Sequence, residues 1–132
     1  MVQHELLIMA IGERFPALMH GRDFWVGHPL DVDTGEQCGD AFIAQWKDGE
    51  PPDVAELLKR AEELRPVYDE RQARQRRNAL LMSTDWTQAL DLPADIRERW
   101  AAYRQVLRDL PEQPGWPSDV QWPAEPIDDS TA

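Results

Sequence analysis

A chain of 132 residues, 30% charged and 42% hydrophobic, has enough apolar side chains for a modest core, as one domain or a small domain with appendages. Its 25 acidic and 14 basic residues leave a formal net charge of −11, which argues against binding a nucleic-acid backbone, since that needs a clustered basic surface. The single cysteine, Cys38, excludes an internal disulfide framework and a Cys-based zinc site, and a reducing compartment fits it.

The longest apolar run, Leu6-Leu7-Ile8-Met9-Ala10-Ile11, has six residues. A membrane span needs roughly 20, and a signal peptide needs an apolar stretch of roughly 7–15 behind positive charge. Glu5 precedes the run and no Lys or Arg does, so a soluble cytoplasmic protein is expected. Residues 4–11, short, apolar and followed by Gly12, read as a buried strand. Phe24-Trp25-Val26, between Gly21 and Gly27, is a second strand candidate, and Asp33-Thr34-Gly35 marks a turn. Ala41-Phe42-Ile43-Ala44-Gln45-Trp46 is a third element whose type stays open, and Asp48-Gly49-Glu50-Pro51-Pro52 breaks the pattern. Residues 1–50 are thus expected to form a small β-rich region.

A helix is expected from Asp53, a good N-cap, with Val54, Leu57, Leu58, Ala61 and Leu64 on one face. Pro66 removes a helical hydrogen bond and crowds the preceding turn, so a break or kink is expected near Arg65. A very polar helix resumes from Tyr68 to Met82, and residues 53–82 read as a connector. No heptad pattern crosses Pro66, which speaks against a coiled coil. Ser83-Thr84-Asp85-Trp86-Thr87 interrupts the helical pattern; Leu92-Pro93-Ala94-Asp95 reopens it, with Pro93 suited to a first helical position. The last helix should run to about Leu110, with Ile96, Trp100, Tyr103, Leu107 and Leu110 as a narrow apolar stripe and Arg97, Glu98, Arg104 and Arg108 covering the rest. Pro111, Pro114 and Pro117 forbid further helix, leaving an extended or turning tail. Residues 83–126 form a C-terminal module on this reading, and 127–132 a disordered end. The fold class is α+β: a small N-terminal sheet, a long interrupted connector helix, and a C-terminal helix with an extended Trp/Pro-rich tail.

Residues 65–77 hold five arginines against two acids, whereas 109–132 hold six acids and no base. These are either two solvated stretches or a tail that folds back on the arginine segment. Exposed pairs contribute only about 0–1 kcal/mol each, which favours the first.

Catalytic signatures are weak. Asp33-Thr34-Gly35 spells the aspartic-protease triplet, but that chemistry needs two carboxylates sharing a proton, and Glu36 follows where a hydrophobic strand should continue. Asp31-Val32-Asp33 fails as a calcium loop: its glycine falls one position early, and Phe42 stands where a bidentate Glu belongs. His4, His20 and His28 are separated and form no metal motif. Cys38 lacks helix-start or basic surroundings and reads as a partly buried small residue. No glycine-rich phosphate loop occurs. No catalytic, cofactor-binding or metal-binding residue is assigned, and the chain is expected to be a binding protein rather than an enzyme.

The tryptophans carry more information. Four of six lie between Trp86 and Trp122, and tryptophan dominates buried area in cores and binding energy at interfaces. The stripe of Trp100, Tyr103 and Leu107 reads as core or interface. Trp116 and Trp122, each followed by proline, either dock on that stripe or meet another protein. Trp86, Trp100, Tyr103, Leu107, Trp116, Trp122 and Pro123 are therefore the candidate partner-binding or module-core residues.

Arg77-Asn78-Ala79-Leu80-Leu81, Ser83-Thr84-Asp85-Trp86-Thr87-Gln88, Trp100 through Leu110, Trp116-Pro117 and Val120-Gln121-Trp122-Pro123-Ala124-Glu125-Pro126 together resemble the phage tail assembly chaperone domain. The ending is also similar to the C-terminal part of tail fibre assembly proteins, and the resemblance covers residues 77–126. It implies a small helper acting in the host cell cytoplasm on a phage tail fibre or receptor-binding protein, aiding its folding, trimerisation or attachment, without cofactor, nucleotide, nucleic acid or membrane. The aromatic module would shield apolar fibre surface, or an exposed edge within residues 4–46 would grip the β-rich fibre by strand addition. Two alternatives stay open: a structural component retained on the tail fibre or baseplate, and an acidic host-directed inhibitor.

Overall fold

The apolar run near the N-terminus is a helix, not a strand. In the computed structural model, which describes residues 1–126, α1 spans His4–Arg14. Its buried residues Leu6, Leu7, Ala10 and Ile11 recur as neighbouring pairs one turn apart, the spacing of one helical face rather than the alternation of a strand. Gly12 does not stop the helix; the chain leaves at Phe15, whose amide donates to the Ile11 carbonyl at 2.7 Å.

The chain divides into two compact units, Met1–Tyr68 and Asp69–Ala132. In the first, β1 (Phe24–Gly27) and β2 (Phe42–Trp46) pair antiparallel as a two-stranded sheet, with a bulge beside Trp25 and Val26. The open third element of the sequence is thus a strand. The long connection is pinned at Leu30 and Gln37 and turned by Asp31, whose Oδ1 accepts the amides of Asp33 and Thr34 at 2.9 and 3.0 Å. Gly35 follows at φ 73°, a conformation only glycine adopts cheaply. The protease-like triplet is therefore part of a turn.

α2 spans Val54–Ser83, and the Asp53 carboxylate accepts the Ala55 amide at 3.0 Å at its start. Of the break or kink expected near Arg65, the break is absent: α2 continues through Pro66. Pro66 is exposed, so its ring points to solvent and the carbonyl deprived of a partner can be hydrated. Leu57 and Ala61, from the first turns of α2, join Val2, Leu6, Leu7, Ala10, Ile11, Phe24 and Ala41 in the first core, with Ile43 and Trp46 packed at its margin. Arg60 fixes α2 to α1 through two 2.7 Å bonds to the Glu13 carboxylate and holds that carboxyl below its usual range.

The second unit contains the end of α2, a short 3-10 helix at Asp85–Gln88, α3 at Ala94–Asp109, and a 3-10 turn at Leu110–Glu112. Turns follow through Pro114–Ser118, where Trp116-Pro117 is cis, and residues 120–126 carry neither helix nor strand. The α+β class thus stands. The expected disordered end at 127–132 lies outside the described residues. Among the described residues no helix is long and apolar enough to cross a membrane.

Candidate protein-binding surface

The α3 stripe forms the second core. Tyr103, Leu107 and Leu110 are buried, and Leu80, Leu81, Trp100, Trp116, Val120 and Trp122 pack against them. Of the seven candidate residues, Tyr103 and Leu107 are therefore core, and Trp100, Trp116 and Trp122 are half-buried around it. Pro123 is half-buried as well. Burial pushes the Tyr103 phenol above its usual range, and the nearby Glu125 carboxylate adds to this.

Both tail tryptophans sit under arginines of α2. The Arg76 guanidinium lies 4.2 Å from the Trp122 ring centre, and that of Arg74 lies 5.7 Å from Trp116. The aromatic face attracts the cation, and such pairs are worth about 0.5–1 kcal/mol when exposed. Arg74 also pairs with Glu70 at 2.8 Å. Among the described residues no ion pair joins Arg71, Arg74, Arg76 or Arg77 to Asp109, Glu112, Asp119 or Glu125. The tail thus meets the arginine segment through its rings rather than its acids.

Two side chains fix the path of the tail. Gln113 donates from Nε2 to the Gln121 carbonyl at 3.1 Å, and its Oε1 accepts the Gln121 amide at 2.9 Å. Its primary amide thus imitates one peptide group of a neighbouring strand. Ser118 donates to Asp69 at 3.2 Å. Between them, Asp119 donates to the Gly115 carbonyl at 2.6 Å. A Cβ at Gly115 would collide with the Asp119 carbonyl oxygen, so the bend requires glycine.

Arg104 is the residue that the sequence misplaces. Expected to cover the solvent face, it is 7% exposed. It donates to the Leu81 carbonyl at 2.6 Å, to Thr84 Oγ1 at 2.8 Å and to Asp85 Oδ1 at 2.8 Å. Thr84 in turn donates to the Leu80 carbonyl at 2.7 Å. The carbonyls left open at the end of α2 are thus capped by a hydroxyl and a guanidinium. Arg104 follows Trp100 by four residues and precedes Leu107 by three, so its place along the stripe was the available signal.

Trp86 stands apart. It is 59% exposed, yet its ring contacts that of Trp100 at 5.9 Å, and Trp100 meets Tyr103 edge-on at 5.6 Å. The core thus continues outward as a row of three aromatic rings that ends in solvent. Met82 and Leu90, on either side of Trp86 in the chain, are also exposed.

Residues 70–127 match the family model described as phage tail assembly chaperone protein. The resemblance over 77–126 is contained in that match, which supports a role in phage tail assembly. Residues 7–70 match a second model, described as XkdW protein, and both are phage tail-associated families. No curated protein and no solved structure matches the chain.

The other candidate groups are scattered over the first unit. His4 and His28 meet through Nδ1 atoms 3.1 Å apart, while His20 accepts the Val26 amide at 3.3 Å. Cys38 is exposed, contrary to its expected partial burial, because the turning connection beyond β1 carries it outward. Among the described residues no three His, Cys, Asp or Glu side chains are placed to hold a metal ion.

Proposed function

We propose that this chain is an assembly chaperone for its phage's tail fibre or receptor-binding protein, acting in the infected cell without catalysis or cofactor, and that it holds its client on the face of Trp86 and Trp100. The observation that carries this reading is the exposed Trp86 ring at the end of an aromatic row, within the stretch that matches the chaperone model. Half-exposed tryptophan backed by packed aromatics has the form of an interface anchor: it loses little side-chain entropy on binding and buries a large area. Tyr103, Leu107, Trp116 and Trp122 serve that surface indirectly, by holding the module together. On this reading the anchor covers apolar fibre surface until the fibre's own subunits replace it.

Co-expression with the phage's tail fibre protein, followed by affinity capture and sizing, tests this. Soluble trimeric fibre and a stable complex should appear with the wild-type chain. Trp86→Ala should weaken the complex by about 30-fold or more, as for a central interface tryptophan, with little change in melting temperature. Soluble trimeric fibre without the chain, and no complex, would overturn the proposal.

A further inference from the structure

The two edges of the small sheet are unlike. On the outer side of β1, the Phe24 carbonyl accepts the Gly21 amide at 2.9 Å, and the Val26 amide donates to His20 Nε2 at 3.3 Å. That edge is closed by its own neighbouring turn. These two bonds also show that Phe24 and Val26 direct backbone groups away from β2. Their cross-strand partners are Trp46 and Ile43. In an antiparallel ladder the two members of such a pair both face outward, so Ile43 and Trp46 point their amides and carbonyls off the far side of β2.

The start of that far edge is already occupied: the Ala41 amide donates to the Val2 carbonyl at 2.9 Å. Beyond it, the outward groups of Ile43 and Trp46 have no hydrogen-bond partner among the described residues. Open edges are usually guarded by charge, yet Phe42–Trp46 contains no charged residue, in a chain that is 30% charged. Phe42, Ala44 and Gln45 are exposed along it.

We propose that β2 is a docking edge for a short extended segment of the same client fibre, which adds as a third strand and continues the line begun by Val2. The occupant follows from the chemistry of the edge. Spaced backbone donors and acceptors select an extended polypeptide, and the uncharged side chains beside them accept apolar or neutral neighbours. A second copy of this chain is disfavoured, because a charge of −11 on each repels the other. The bulge beside Ala44 interrupts the ladder and confines the addition to a short segment. This surface rests on the reading of the chain as a fibre chaperone but is separate from Trp86.

Amide hydrogen exchange on the full chain, alone and in its purified complex with the fibre, tests the inference. The Ile43 and Trp46 amides should slow by about tenfold or more in the complex, the effect of a formed backbone hydrogen bond on local opening. Ala41 and Lys47, whose amides already donate to Val2 and Asp23, serve as internal controls and should change little. A complex that forms while Ile43 and Trp46 exchange as before would overturn strand addition and leave the chaperone reading standing. Failure to form any complex would overturn both. Protection in the free chain that grows with its own concentration would assign the edge to a second copy and overturn the fibre strand.

Discussion

Arg104 shows how much one side chain can organise. Its guanidinium reaches the Leu81 carbonyl, Thr84 and Asp85, three successive features of the turn that ends α2. Among the described residues, only its Nε is left without a partner. A buried cation is tolerated when carbonyl and carboxylate oxygens replace its water, and removing it strands those oxygens instead. Arg104→Ala should therefore destabilise the chain by about 2–4 kcal/mol in urea unfolding. Arg104→Lys should recover only part of this, since one ammonium cannot span the same fork of acceptors. A loss for Arg104→Ala no larger than that of an ordinary surface substitution would show that the network is solvated. Sequence spacing puts Arg104 along the stripe but does not show what buries its charge, because its partners lie some twenty positions earlier in the chain.

At the level of elements, legibility follows length. α3 was readable because its stripe repeats over four turns and Pro93 marks its entry. The start of α2 was readable from Asp53 and the apolar face behind it. The N-terminal run was not: six consecutive apolar residues satisfy either period, and Gly12 is a stop signal only when the backbone there turns left-handed. Pro66 misled for a related reason, since its cost depends on whether the bared carbonyl can be hydrated. The ring still removes one bond and strains the turn before it. Pro66→Ala should therefore raise stability by about 1–3 kcal/mol, less than or equal to the full proline penalty in a helix interior. Chemical denaturation would show this as a higher midpoint with an unchanged slope. An unchanged or lower midpoint would mean that the surrounding turns have adapted to the ring. The candidate site was half legible: the aromatic positions stand out in sequence, but which ring stays in solvent depends on the path of the tail, set by Gln113 and Gly115.

Across the whole molecule, charge and cores act on different scales. The two cores are apolar and small, while acids outnumber bases by 11 over the full chain. Local pairs such as Arg60 with Glu13 and Arg74 with Glu70 stabilise, but each uses one acid and one base and so leaves the excess of 11 acids untouched. Salt screens both, with a Debye length of about 30 Å at 0.01 M falling to about 8 Å at 0.15 M. Because the repulsion is the more numerous and longer-ranged term, the melting temperature should rise by a few degrees over that interval. A fall would show that the short pairs dominate. The structure also sets where the chain can lengthen. The connection between β1 and β2 carries an exposed turn at 32–34, where an inserted residue would disturb the local bonds of Asp31 and no core side chain. The stretch from Gln113 to Gln121 looks like the same sort of surface loop, but a side-chain amide grips a backbone peptide eight positions on. A descendant of this chain that gained or lost a single residue there would find the wrong peptide in that grip, so the loop's length is inherited as strictly as a core side chain.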